Sequence, residues 1–208
     1  MTDISVILVT KNAQPFIADA IRQALACQSK HGAEVVAIDA GSTDGTWEAL
    51  SVNDGWKLHR QKGDGLAGAR NQGLASAQGE FIAFLDADDA WLPGKMIRQR
   101  EALDAAPEID VVSCLLKKIG IDDDDVLHPA WTPSGCLFRR RAFDRVGLFS
   151  ARYQIACDHD WFMRARKRGL KMAALDALLL HKRIHAENLS HDRGRYRKEL
   201  LHIFRNLS

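Results

Sequence analysis

The stretch Phe81-Ile-Ala-Phe-Leu-Asp-Ala-Asp-Asp-Ala-Trp91 decides the fold. The unbroken apolar run from Phe81 to Leu85 reads as a strand buried on both faces, the mark of a parallel sheet with helices on either side. Asp86, Asp88 and Asp89 then fall at its carboxyl end, where open α/β sheets bind their ligands. Carboxylates this close repel one another, and a divalent cation carrying a phosphorylated substrate relieves the repulsion. The segment is expected to be a metal and diphosphate site; the plain alternative is an acidic loop that ends a strand before Pro93.

Upstream, strands and helices alternate. Ile4 to Val9 is a strand, and Pro15 to Cys27 places Phe16, Ile17, Ala20, Ile21, Ala24 and Leu25 at helical spacing. Glu34 to Ile38 is a second strand ending at Asp39, a helix runs from about Thr46 to Leu50, and Trp56 to Arg60 is a short third strand. A helix from Gly68 to Ala77 stops at Gly79. This βαβ succession predicts an α/β fold, a single domain with a mostly parallel central sheet flanked by helices. After Pro107 the pattern changes: Val111 to Ile119 is a strand, Asp122 to Asp125 a hairpin turn or solvated loop, Pro129 to Pro133 a loop, and Cys136 to Phe138 a short apolar segment.

At 208 residues and 46% hydrophobic, the chain can bury a core without disulfide or metal staples. A net charge of +2 gives no mandate to bind nucleic acid, so anion binding must be local. Cys27, Cys114, Cys136 and Cys157 are scattered, without zinc spacing, and read as reduced thiols of a cytoplasmic protein. The amino terminus is expected to be the first strand and not a leader, and no window has the apolar length of a membrane span.

Two glycine-rich stretches follow strands. Asp39-Ala-Gly-Ser-Thr-Asp-Gly-Thr46 puts a carboxylate at a strand end, then residues that allow close backbone approach to a ligand; it also reads as a plain helix-capping turn. Gly63-Asp-Gly-Leu-Ala-Gly-Ala-Arg-Asn-Gln-Gly73 leads amides and Arg70 toward a helix start. Its glycines do not match the dinucleotide fingerprint and no Walker lysine follows, which counts against dehydrogenases and P-loop enzymes.

With Ser5-Val-Ile-Leu-Val-Thr-Lys-Asn12, Ala69-Arg-Asn-Gln-Gly73 and Asp158-His-Asp-Trp-Phe-Met-Arg164 added in order, the chain resembles the family 2 glycosyltransferases, inverting enzymes of the GT-A nucleotide-diphospho-sugar transferase fold. The resemblance covers nearly the whole chain and implies one domain over residues 1–208, with a nucleotide-sugar half to about residue 106 and an acceptor-side half beyond. It implies donor binding by Thr10, Lys11, Asn12, Asp39, Gly41, Ser42, Arg70, Asp86, Ala87 and Asp88. Asp88 and Asp86, with His185 as a further ligand, would hold Mn2+ or Mg2+, and Asp158 would act as catalytic base. Lys11 replaces the family's usual tyrosine, Ala40 an aspartate and Cys157 a glutamate. A UDP-sugar is favoured, and a lysine stem can cover the base in place of a ring.

The implied chemistry is a single displacement: an acceptor hydroxyl attacks the anomeric carbon opposite the departing nucleotide diphosphate while a carboxylate takes its proton. Asp158 and Asp160 also read as helix-start residues, and the cluster His181, His185, Asn188, Ser190 and His191 as a polar surface loop. By the resemblance Ser134, Gly135 and Asp160 contact the acceptor, a saccharide, lipid-linked or other hydroxyl compound. The basic tail from Arg193, apolar at Tyr196, Leu200, Leu201, Ile203 and Phe204, packs on the domain, pairs with a second copy, or lies on an anionic inner membrane face. Two other classes remain: a metal-dependent phosphohydrolase, which would want its acidic motif on the first strand, and a sugar-nucleotide-binding module without turnover.

Overall fold

The computed structural model describes residues 3–63, 65–121, 125–186, 188 and 192–207. Strand β1 (Ile4–Thr10) lies between β2 (Glu34–Asp39) and β4 (Phe81–Asp86), and β3 (Lys57–Arg60) adds to β2, all in parallel. These strands read as continuous apolar runs because alternate residues enter different cores. Val6, Leu8, Phe81, Ala83 and Leu85 pack on one face and Ile7, Ile82 and Phe84 on the other. Helices α1 (Ile17–His31), α2 (Thr46–Ser51) and α4 (Lys95–Ala105) send Ala20, Ala24, Leu50, Met96 and Leu103 into the first core. The second receives Ala69 and Leu74 of α3 (Gly65–Ser76), Phe143 of α5 (Arg141–Val146), Trp161 of α6 (Cys157–Lys167) and Ile203 of α7 (Arg193–Leu207).

Beyond β4 the sheet becomes mixed. Strand β8 (Leu137–Arg139) is antiparallel to both β4 and β6 (Val111–Gly120), β9 (Met172–Ile184) is parallel to β6, and the short β5 (Ala90–Trp91) and β7 (His128–Pro129) pair antiparallel with β9 and β6. The order is β3-β2-β1-β4-β8-β6-β9-β5, with β7 off this path. The parallel half is as the alternation predicts, and the tail from Arg193 is a helix packed on the domain through Ile203, 1% exposed.

Two expectations shift. Helix α3 begins at Gly65 and not Gly68, and β9 extends through His181 to Ile184, so part of the expected polar loop is strand. The acidic run at 122–124, together with Ser190 and His191, lies outside the described residues. Gly73 shows how tightly α3 sits on β1: a Cβ there would stand 2.3 Å from Ile7 Cγ2. All four cysteines are buried and free. Burial pushes the Cys27 and Cys157 thiols up to about 11 and Cys136 up to about 12, and raises Cys114 as well. No helix among the described residues is long and apolar enough to cross a membrane.

Candidate active site

Sheet register assembles the first part of the site. Thr10, Asp39 and Arg60 are cross-strand neighbours at the carboxyl ends of β1, β2 and β3, and Asp86 stands opposite Val9. Asp39 is fully buried. Its Oδ2 accepts from Arg60 Nη1 at 2.8 Å and from the amides of Gly41 at 3.2 Å and Ser42 at 3.1 Å, while among the described residues Oδ1 has only the Thr10 hydroxyl at 3.4 Å. Gly41 supports this turn at φ 76°, a region open to glycine. Arg60 lies over the Trp47 ring at 3.8 Å. An acceptor and a donor thus stand side by side at one sheet end, and Lys11 is exposed on the adjoining loop.

Loops 11–14 and 42–46 are fastened together. The amides of Asn12, Ala13 and Gln14 donate to Ser42 Oγ, Thr46 Oγ1 and Asp44 Oδ2, and the Thr43 amide donates back to Asn12 Oδ1. Asn12 holds φ 47°, a left-handed conformation that asparagine tolerates better than most residues.

Arg70 is the electrostatic centre, 2% exposed. Its Nη2 donates to both oxygens of Asp86, at 3.1 and 3.3 Å, and Nη1 reaches Cys157 Sγ at 3.8 Å. Burial works against its charge, but the Asp86 carboxylate outweighs it and the net shift is upward. Asp158 follows Cys157 in the first turn of α6. Its Oδ1 accepts from the His159 amide at 2.8 Å and faces His159 Nδ1 at 3.0 Å. Burial pulls the Asp158 carboxyl up, yet the His159 bond and the Arg70 charge prevail and hold it below the usual carboxylate value.

The expected metal ligands divide. His185 Nε2 stands 3.1 Å from Asp88 Oδ2, which also accepts from Asn188 Nδ2 at 2.9 Å, whereas Asp86 is turned to Arg70. Among the described residues no three His, Cys, Asp or Glu side chains converge as a metal cage. The local charge nonetheless suits a cation. Asp89 is 2% exposed, neither of its oxygens has a hydrogen-bond partner among the described residues, and Lys182 Nζ stays 3.7 Å away. Burial pushes its carboxyl up to about 7, Lys182 opposes this, and the charges of Asp86 and Asp88 add to it. A carboxylate oxygen and an imidazole nitrogen side by side are a donor pair that fits a divalent ion.

The residues expected near an acceptor are less open. Ser134 is fully buried, and Gly135 is buried with its carbonyl accepting from Gln99 Nε2 at 2.8 Å. Asp160 is 7% exposed and turned to Arg164 at 2.8 Å, which also binds the carbonyls of Val146 and Leu148. Asp160 thus braces α6 against the end of α5, whereas Ser134 and Gly135 are tied to Trp91 and to Gln99 of α4. An open groove of about 660 Å³ between β3 and α3, lined by Arg60, Lys62, Asn71 and Gln72 among others, contains none of the carboxylates above. Sequence reasoning missed Arg60, whose available signal was its place at the end of the strand beside Asp39.

The pattern of glycosyl transferase family 2 matches residues 5–171, and the chain belongs to that family. The Escherichia coli UDP-Glc:alpha-D-GlcNAc-diphosphoundecaprenol beta-1,3-glucosyltransferase WfaP is 34% identical over 99 residues, covering 46% of this chain and 39% of its own. Among solved structures, S. aureus TarS 1-349 in complex with UDP-GlcNAc superposes with a TM-score of 0.74 at 22% identity, covering 91% of this chain and 60% of that one. The Pyrobaculum calidifontis mannosyltransferase PcManGT, with GDP-Man and Mn2+, gives 0.74 at 21% identity over 98% and 63%. The architecture is that of these GT-A proteins. The matches span only 35% to 40% of the length of the first curated relatives.

Proposed function

We propose that this chain moves a sugar from a UDP-sugar to a hydroxyl acceptor, with inversion, in the assembly of a surface polysaccharide or glycoconjugate. The observation that carries the reading is Arg70, which ties the Asp86 end of β4 to the Cys157-Asp158 turn of α6, so that donor-side carboxylates and a candidate base face one site. Residues to about 106 bind the donor, and those beyond form the acceptor side. Asp39 offers an oxygen to an imide N–H, and Arg60 beside it a donor to the neighbouring carbonyl, a pairing that suits uracil better than cytosine or adenine. Asp88 and His185 would hold Mn2+ or Mg2+ with the diphosphate. When bound, the ion neutralises charge that develops on the leaving group.

Asp158 takes the acceptor proton. Its depressed carboxyl is ionised at neutral pH, and the hydroxyl becomes acidic only as its bond to the anomeric carbon forms, so a weak base in place suffices. The names of the relatives support a saccharide or lipid-linked acceptor, WfaP being described as acting on a diphosphoundecaprenol-linked sugar.

Calorimetry with UDP and Mn2+ tests the donor site. Asp88→Ala should lose the metal-dependent part of UDP binding while remaining folded, and unchanged Mn2+-dependent affinity would refute the site. A panel of UDP-sugars and GDP-mannose tests the reaction. Release of UDP or GDP supports transfer, release of a nucleoside monophosphate supports the phosphohydrolase, and binding without release supports a module without turnover.

A further inference from the structure

Helix α7 grips the turn that carries Asp158. Glu199 accepts from three successive backbone amides just ahead of α6, those of Gln154 at 3.0 Å, Ile155 at 3.0 Å and Ala156 at 2.9 Å. A carboxylate there satisfies donors at the helix start and complements its positive end. Arg195 Nη1 donates to Gln154 Oε1 at 2.6 Å, and the Tyr153 hydroxyl lies 3.0 Å from His202 Nδ1. One turn before Glu199 on α7, the Tyr196 hydroxyl stands 3.1 Å from His159 Nε2, while the Nδ1 of the same imidazole faces Asp158 Oδ1 at 3.0 Å.

These contacts form a chain from α7 to the carboxylate. Among the described residues both bonds to Asp158 end on Oδ1, which fixes the carboxylate's rotation and makes Oδ2 the oxygen to receive a proton. In a neutral imidazole, Nδ1–H donating to Asp158 leaves Nε2 to accept from Tyr196. We propose that α7 is a working part of the active site: Tyr196, through His159, and Glu199, through the amides of residues 154–156, are positioning residues that hold Asp158 toward the acceptor hydroxyl. This rests on the reading of Asp158 as the base. It gives the carboxyl-terminal helix a task distinct from membrane or subunit contact.

Nitrogen-15 NMR of the His159 ring, at an alkaline pH where the ring's own spectrum shows it neutral, tests the chain directly. The wild type should show the Nδ1–H tautomer and Tyr196→Phe a mixture; a wild-type ring protonated on Nε2 overturns the proposal. Kinetics use whichever of UDP-glucose, UDP-N-acetylglucosamine or GDP-mannose the wild type turns over with Mn2+, water serving as acceptor. Tyr196→Phe keeps the ring against His159, so the melting temperature and donor KM should hold while kcat falls about tenfold, part of the hundredfold or more that a general base supplies. Glu199→Gln, which keeps one accepting oxygen, should lose less kcat than Glu199→Ala. In an Asp158→Asn background Tyr196→Phe should cost nothing further, because its effect passes through that carboxylate. A full additional loss in that background, or a wild-type kcat for Tyr196→Phe, overturns the proposal. An Asp158→Asn enzyme as fast as wild type removes the base assignment and this proposal with it. Should none of the three donors turn over, the transferase reading fails and the tautomer alone decides the hydrogen-bond chain.

Discussion

Breaking the Arg70–Asp86 pair should destabilise the protein unequally from its two ends. Removing one member of a buried ion pair typically costs about 3–5 kcal/mol, chiefly because the other charge is left behind. Arg70→Met leaves Asp86, whose side chain is 21% exposed and can regain water, so the loss should fall near about 3 kcal/mol. Asp86→Ala leaves a guanidinium whose side chain is 2% exposed and cannot shed its proton, which places the loss nearer about 5 kcal/mol, less whatever the charge of Asp158 returns. For a chain of this size each kcal/mol moves the melting temperature by about 2–4 °C, giving drops of about 6–12 °C and 10–20 °C. Thermal unfolding followed by circular dichroism measures both. The double variant should be more stable than Asp86→Ala alone, since methionine at 70 packs near Phe149 without a charge to satisfy, and the coupling should exceed about 1 kcal/mol. Additivity within about 0.5 kcal/mol, or a milder effect for Asp86→Ala than for Arg70→Met, would refute the argument.

The Asp158–His159 pair sets a pH dependence. The Asp158 bond raises the His159 pKa, so that part of the stability is fully present below the ordinary histidine value and fades as pH rises through the raised one. Asp158 is depressed, so its part holds above the ordinary carboxylate value and fades in acid. Asp158→Asn should therefore lower the melting temperature more at about pH 6 than at pH 9; the reverse order would contradict the ion pair. Gly73→Ala forces a methyl group against Ile7 and should cost about 1–3 kcal/mol in a denaturant titration. Lys11→Tyr should keep or strengthen UDP binding by calorimetry and Lys11→Ala weaken it, and equal affinities would take position 11 out of the base site.

Much of the parallel sheet's carboxyl edge was legible because its signals are local. A strand covered on both faces is apolar throughout, and in parallel register its last residues line up, so Thr10, Asp39 and Asp86 could be placed before any coordinates. What escaped depends on partners distant in the chain. Strand β9 pairs with β6 some sixty residues earlier, and nothing in Met172–Ile184 announces that partner. Lys95 is 1% exposed, donates to Gln99 and lies 4.4 Å from the Trp91 ring, a burial that nothing in its local sequence signals. Tyr196 reads as one of the apolar positions of a basic tail, and only the fold brings it and Glu199 to residues 154–159. Asp86 and Asp88 share a motif, but different neighbours, Arg70 sixteen residues before Asp86 and His185 far beyond Asp88, draw their side chains apart.

The four buried thiols give this molecule an internal clock for its own opening. Only a thiolate reacts with alkylating or disulfide reagents, and burial together with raised pKa values suppresses that form while the fold is closed. Modification must then wait for local or global exposure, and each position reports a different part: Cys27 helix α1, Cys114 the centre of β6, Cys136 the entry to β8, Cys157 the turn beside Arg70. Labelling rates resolved by peptide mass would show which of these parts yields first. A nucleotide that slowed labelling at Cys157 and left Cys27 unchanged would locate its hold on the protein without any substrate being turned over.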